Sequence, residues 1–307
     1  MVSKITYQGG IGTHMEQEFL MNEFSLAGTG WATPFLLVPE VTTLDATTRK
    51  LLEIAGEEDC YLSGISPLGV PFNTVKGTES EEQKKQRIDN GRPGSPCPKG
   101  YLISNTEFSR TPVCKASVFF QKRKIKQLKE LNLMPNDYDE EFEKIVEKAC
   151  LCEDLAAPAL IEYNLSNKRP LKSTVCAGPN IAYFNKISTL REMVDHIYGR
   201  INLMADPKRP HFFVAELSMY INYFKKELKS TSEKVSKIDI KRLTLFAKNL
   251  QDGIQYYLKM VSDRYPVTNE VKGIITNEII SLNTIFQNTV NLYPAIFQSQ
   301  EPISVGS

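Results

Sequence analysis

Lys4-Ile-Thr-Tyr-Gln-Gly-Gly-Ile-Gly-Thr13 opens the chain with a short β-prone run that breaks into glycines. His14 to Phe24 follows, with Met15, Phe19, Leu20 and Phe24 at helical spacing, which predicts an amphipathic helix. The next segment, Leu26-Ala-Gly-Thr-Gly-Trp-Ala-Thr-Pro-Phe-Leu-Leu-Val-Pro-Glu40, reads as a second strand, a glycine turn and an apolar stretch closed by Pro39. Thr43 or Asp45 is placed to cap a further helix over 46–55. A strand, helix, strand order with glycines at the strand ends predicts an α/β front section over residues 1–75.

Outward from that section the character changes twice. Residues 76–182 are polar and irregular. Glu79-Ser-Glu-Glu-Gln-Lys-Lys-Gln-Arg87 reads as a solvated helix or loop, and the prolines and glycines of Asn90-Gly-Arg-Pro-Gly-Ser-Pro-Cys-Pro-Lys-Gly100 break both helix and strand. Tyr138–Cys150 reads as a short acidic helix. Residues 183–307 are helical: Thr189–Ile201 first, then three long helices. Their stripes are Phe213, Leu217, Tyr220, Ile221, Phe224 and Leu228; Leu243, Phe246, Leu250, Ile254, Tyr257 and Val261; and Val271, Ile275, Ile279, Leu282, Phe286 and Val290. Spacings of three and four over several turns predict a packed bundle. The expected fold is therefore α+β and mainly α: a short β/α front, a cysteine-rich irregular centre and a C-terminal helical bundle.

Composition sets outer limits. The 307 residues, 41% hydrophobic and 24% charged, are ordinary for a globular chain, and a net charge of +1 supplies no field for nucleic acid or acidic lipid. The first residues lack a basic-then-apolar leader, and no window holds the about eighteen apolar residues of a membrane span. The expectation is a cytoplasmic protein with no membrane or nucleic-acid partner. In that setting six cysteines read as ligands, catalytic groups or buried thiols, not disulfides.

Five of them, Cys97, Cys114, Cys150, Cys152 and Cys176, lie in or beside the irregular segments. Proline and glycine around a cysteine let backbone N–H groups turn towards sulfur, and Cys-Pro recurs in iron–sulfur ligand runs. Four thiolates satisfy either an iron–sulfur cluster, including the 4Fe–4S type, or a structural zinc ion, with one cysteine to spare. Inert buried thiols are the plain alternative. Scarce histidine and the lack of paired cysteines favour iron–sulfur over zinc. Cys60, at the end of a helix-like run, reads as core.

Gly9, Gly10, Gly12 and Thr13, between strand and helix, have the geometry that holds a phosphate on backbone N–H groups, though not the spacing of a P-loop or dinucleotide fingerprint. Gly28, Thr29 and Gly30 form a second glycine turn. Residues 4–37 thereby resemble the end of an FMN- or phosphate-binding (β/α)₈ barrel of the glutamate synthase and nitronate monooxygenase kind. The resemblance implies that Gly9, Gly10, Thr13, Gly28 and Thr29 contact the FMN phosphate, with Gly12 and Gly30 in the same turns. Glutamate synthases also carry cysteine-ligated iron–sulfur, although their cysteine spacing differs. Because Met1 lies just ahead of the first strand, either the remaining barrel units belong to a longer protein or a separate chain, or the likeness is local to this segment.

Among the remaining candidates, Tyr61–Asn73 reads as a buried apolar loop, Lys122-Arg-Lys-Ile-Lys126 as a solvated helix face, Trp31 as core and His196 as helix surface; His14 starts a helix beside the glycines. No general acid or base is legible. Two functions follow: part or partner of a flavin- and iron–sulfur-dependent oxidoreductase, or a non-catalytic helical module, with structural zinc or no metal, that binds a partner chain or its own copy.

Overall fold

A computed structural model describes residues 4–97, 99–165, 170–204, 209–231 and 236–297. In chain order its elements are β1 (Thr6–Gln8), α1 (His14–Glu23), β2 (Gly28–Gly30), α2 (Ala46–Ile54), β3 (Cys60–Ser63), β4 (Phe72–Val75), α3 (Glu79–Asp89), α4 (Val118–Glu130), α5 (Pro135–Val146), α6 (Leu151–Asp154), α7 (Ala157–Glu162), α8 (Leu190–Ile197), α9 (Phe212–Ser230), α10 (Lys237–Asp263), α11 (Asn269–Asn291) and α12 (Pro294–Phe297). The protein is mainly helical and of α+β type.

β1 and β2 pair in parallel, Thr6 opposite Gly28 and Gln8 opposite Gly30, and β3 and β4 form an antiparallel hairpin with Cys60 opposite Val75. These two-stranded sheets are the only sheets among the described residues, so the barrel that the resemblance implies is not built by them. One reason is local. In a barrel, α1 would lie on its own strands. Here Phe19 and Leu20 are buried and Phe19 packs edge-on to Phe213 and Tyr265 of the helical portion.

The chain divides into two compact units. One comprises Ile5–His14 and Gly28–Pro207; the other Met1–Lys4, Met15–Ala27 and Lys208–Ser307. These units cut across the three regions of distinct sequence character.

In the first unit the core gathers Leu37, Val38, Leu44, Leu52, Val75, Val175, Ile181, Phe184 and Met193 from α2, β4, α8 and two 3₁₀ turns at Thr33–Leu37 and Pro179–Tyr183. Helix starts are chemically fixed. Asp45, not Thr43, caps α2 by accepting the Thr48 N–H at 2.9 Å and the Thr48 hydroxyl at 2.7 Å. Thr189 and Glu192 make a reciprocal capping box on α8. The acidic run from Glu79 is a full helix, α3, because Thr78 caps it by accepting the Glu81 N–H.

In the second unit α9, α10 and α11 pack on Leu217, Ile221, Phe224, Leu243, Ile254, Val261, Ile275, Ile279 and Phe286, as their spacing predicts. Phe224 stacks on Phe246 with centroids 5.4 Å apart and meets Phe286 at 5.7 Å. The stripe read for α1 is only half right: Met15 and Phe24 are exposed, while Glu16 is buried in a 2.5 Å ion pair with Arg209. Tyr220 and Val271, read into the stripes of α9 and α11, are likewise exposed. No described helix is long and apolar enough to cross a membrane.

Candidate metal centre

The loop from Asn90 to Gly100 owes its course to glycine. Gly91, Gly94 and Gly100 take positive φ, and a Cβ on Gly94 would sit 2.7 Å from the Val118 backbone. That close approach lets Ser95 bridge the segment before α4: its N–H donates to Ala116 O at 2.7 Å and its carbonyl accepts the Val118 N–H at 3.2 Å. Further on, Asn105 and Val113 pair through an antiparallel bridge. The excursion carrying Cys97 and Cys114 is thus pinned at its base and across its middle.

A second segment meets it from the other side. Gln121 of α4, fully buried, donates its side-chain amide to Lys148 O at 2.9 Å. The Ala149 N–H donates to Ile65 O at 3.0 Å, the Gly64 N–H to the Glu147 carboxylate at 2.6 Å, and the Lys148 ammonium to Gly64 O. These bonds anchor Glu147–Ala149 and deliver Cys150, the residue before α6, and Cys152, inside it.

The result is a sulfur cluster. The Sγ atoms of Cys97, Cys150 and Cys152 lie within 4.8 Å of one another, with Cys150 and Cys152 at 3.9 Å. Cys114 lines the same cavity of about 190 Å³. Among the lining residues no histidine, carboxylate, lysine or arginine appears; Tyr101, Leu102, Ile103, Val113 and Phe119 make the walls apolar. The donor set is sulfur alone, which selects soft metals.

The sulfurs are electrostatically unequal. Burial pushes the Cys97 thiol up, yet the Gly100 and Lys99 backbone N–H groups and the Cys150 thiol donate to it, and together they leave it below its ordinary value. Burial raises Cys150, Cys152 and Cys114; the Ser95 hydroxyl at Cys150, the Cys150 thiol at Cys152 and the Ala116 N–H at Cys114 oppose the rise, while charge on the other nearby sulfurs adds to it. These donors are what a thiolate ligand needs around it. Burial and the run Glu57, Glu58 and Asp59 push the Cys60 thiol up to about 11. Cys60 sits in β3 against the core, as expected.

Three of the five cysteines singled out from the sequence, Cys97, Cys150 and Cys152, therefore converge, and Cys114 lines the same cavity. Cys176 does not: it is exposed and is not among the cavity's lining residues.

No family model, curated protein or solved structure matches this chain. The site must be read from its own geometry.

The glycine section is built differently from the sulfur site. Gly9 and Gly10 have φ of +93° and +74°, so the turn after β1 is left-handed as its glycines allow. Asn180 donates to Gly10 O at 2.9 Å and Ile11 O at 3.1 Å, and His196 meets Gly12 O at 2.9 Å. The Leu203 N–H donates to His196 Nδ1 at 3.1 Å, so Nε2 carries the proton and donates to Gly12 O. His196 is buried between Trp31 and Phe184, which corrects the surface reading; burial holds its pKa below the ordinary imidazole value. His14 Nδ1 bonds Ile197 O at 2.9 Å. Gly28, Thr29 and Gly30 are strand β2 itself, not a turn, and a Cβ on Gly30 would meet the Gln8 side chain at 2.8 Å and force it to shift. Arg123 lies over the Phe119 ring and Lys124 pairs with Glu107 at 2.6 Å, so the basic stretch is an ordinary solvated face.

Sequence reading missed Ser95, Gln121, Asn180 and the role of His196. Only Ser95, two residues before Cys97, carried a local signal: a small hydroxyl in the ligand loop.

Proposed function

We propose that this chain is a metal–thiolate protein in which Cys97, Cys114, Cys150 and Cys152 hold one tetrahedral ion, with zinc the best fit. The carrying observation is the sulfur spacing. A tetrahedron with metal–sulfur bonds of about 2.3 Å places its sulfurs about 3.8 Å apart. The 3.9 Å separation of Cys150 and Cys152, inside a trio spanning no more than 4.8 Å, suits a single ion. In a 4Fe–4S cubane each thiolate hangs from a different iron, which spreads the four sulfurs more widely. An all-sulfur set with no further ligand is the closed arrangement of a structural zinc, which would lock the 95–117 excursion to the segment entering α6. On this reading the chain is a metal-stabilised interaction module.

A second reading keeps the redox chemistry: part or partner of an oxidoreductase, with iron–sulfur on the same cysteines and FMN phosphate at Gly9, Gly10, Gly12 and Thr13. Its support is the parallel pairing of β1 with β2 and the left-handed glycines that end β1. Anaerobic purification followed by zinc, iron, sulfide and flavin analysis separates the two. One zinc per chain and no visible chromophore supports the first. Iron with stoichiometric sulfide and sulfur-to-iron charge-transfer bands overturns it in favour of the second. A metal-free protein that takes up neither metal removes both.

A further inference from the structure

The cavity beside the sulfurs is bordered by apolar groups that the fold leaves in solvent. Tyr101, Ile103 and Phe119 line it and are 69%, 48% and 41% exposed. Two cations sit on two of them: the Lys99 ammonium lies over the Tyr101 ring at 5.9 Å and the Arg123 guanidinium over the Phe119 ring at 4.6 Å. Both cations are exposed, and neither has a carboxylate partner among the described residues. The 95–126 segment carries seven basic residues and one acid, Glu107, which Lys124 holds at 2.6 Å. Glu153 of α6 brings one negative charge near Cys97, so the border is net positive although the whole chain is nearly neutral.

We propose that this cavity is a docking pocket for one apolar side chain of an acidic peptide segment on a partner protein, whose flanking carboxylates pair with Lys99 and Arg123. The inference names the partner of the interaction module read above and rests on that reading. Size limits the anchor: an apolar cavity of about 150 Å³ holds one benzene ring, so about 190 Å³ takes a single leucine- or phenylalanine-sized group. Aromatic and arginine side chains around a pocket are the groups that carry binding energy once a partner covers them. The unpaired cations set the sign of the partner, because a basic segment would meet like charge on both sides of the anchor. A single-stranded nucleic acid fits less well. Walls of Leu102, Ile103 and Val113 would leave the polar edges of a base unpaired, and Tyr101 and Phe119 already carry a cation on a ring face.

The test uses the purified full chain, its zinc, iron and sulfide content measured first. Short fluorescent peptides of aspartate and glutamate around one central leucine, isoleucine, phenylalanine or tryptophan are titrated by anisotropy. Alanine-centred and lysine-flanked counterparts and an oligothymidylate are run beside them. At least one apolar-centred acidic peptide should bind saturably, and at least about tenfold tighter than its alanine counterpart; the lysine-flanked series should not bind. Arg123→Glu and Tyr101→Ala, both at exposed side chains, should each weaken binding by at least about tenfold. A photoreactive phenylalanine at the peptide centre should crosslink to the 101–119 segment. Absence of saturable binding, equal binding of the alanine-centred peptides, crosslinks confined to other segments, or preference for the oligothymidylate overturns the proposal. The metal analysis is read separately. A zinc-loaded chain that binds none of the peptides sinks the pocket alone; iron with stoichiometric sulfide overturns the interaction-module reading, and the pocket then stands or falls on the same titration.

Discussion

Burial raises the Cys97 thiol, but the Gly100 and Lys99 N–H groups and Cys150 outweigh it and leave the thiol below its ordinary value, which separates it from a cysteine that is merely buried. On the proposed zinc reading, replacing Cys97 or Cys150 by serine removes one of four ligands, and zinc content should fall from near one per chain by at least about tenfold under a competing chelator. Cys176→Ser should leave it unchanged, because that side chain is exposed and away from the cavity. Elemental analysis after chelator dialysis reads both. His211 carries a different prediction. Burial, with Arg209 adding to it, pushes its pKa from 6.5 down to about 3. The folded state therefore refuses a proton that the unfolded chain takes up. Stability is fully present above pH 6.5 and falls as pH drops towards 3, by about 1.4 kcal/mol per unit. Its Nδ1 accepts the Phe213 N–H, capping α9. His211→Asn keeps an acceptor there and should flatten the slope, measured as urea midpoints between pH 7 and 4.

α4, α9 and α1 each show one contact on which the rest of the element depends. The start of α4 lies against Gly94, whose φ is +93° and whose missing Cβ leaves room for the Val118 backbone. Gly94→Ala should push the Cys97 loop off α4 and weaken metal retention without touching a ligand; circular dichroism would show the helices intact. α9 and α10 meet through Phe224, fully buried on Phe246 and Phe286. Phe224→Ala should lower unfolding free energy by about 3–5 kcal/mol. α1 is tied by the ion pair of Glu16 and Arg209, whose side chains are 4% and 7% exposed. Arg209→Ala removes the cationic partner of a buried carboxylate and should cost about 3–5 kcal/mol. Denaturant titrations check both.

The two compact units carry separate chemistry. All four candidate ligands belong to the unit containing residues 28–207, and His211, Phe224 and the Glu16–Arg209 pair belong to the other. Stripping the metal should therefore raise amide exchange around 95–117 and 147–154, while protection in α9, α10 and α11 stays within error. Hydrogen-exchange mass spectrometry with and without chelator measures this directly; loss of protection in the long helices would mean that the metal supports the whole chain.

Periodicity alone determined the three long helices, because a stripe at three and four residues can bury itself in only one way. The cap of α2 was narrowed to Thr43 or Asp45 for a local reason, since a cap bonds within its own turn, and Asp45 is the one that does so. The cysteine-bearing loops could be located for the same local reason: proline and glycine exclude regular ladders. What sequence could not decide was which cysteines meet. Cys176 has the same kind of neighbours as Cys97, and only the bonds from Gln121 to Lys148 and from Ala149 to Ile65 place Cys150 and Cys152 beside Cys97 and leave Cys176 outside. The glycine section misled for a related reason. A strand, helix and strand look alike whether they close a barrel or stand as one parallel pair, because strand number is set by long-range pairing. The burial of Glu16 and His196 was hidden too. A charged or polar residue is buried only where a distant partner compensates its lost hydration, and Arg209 and Gly12 O are brought there by the tertiary fold.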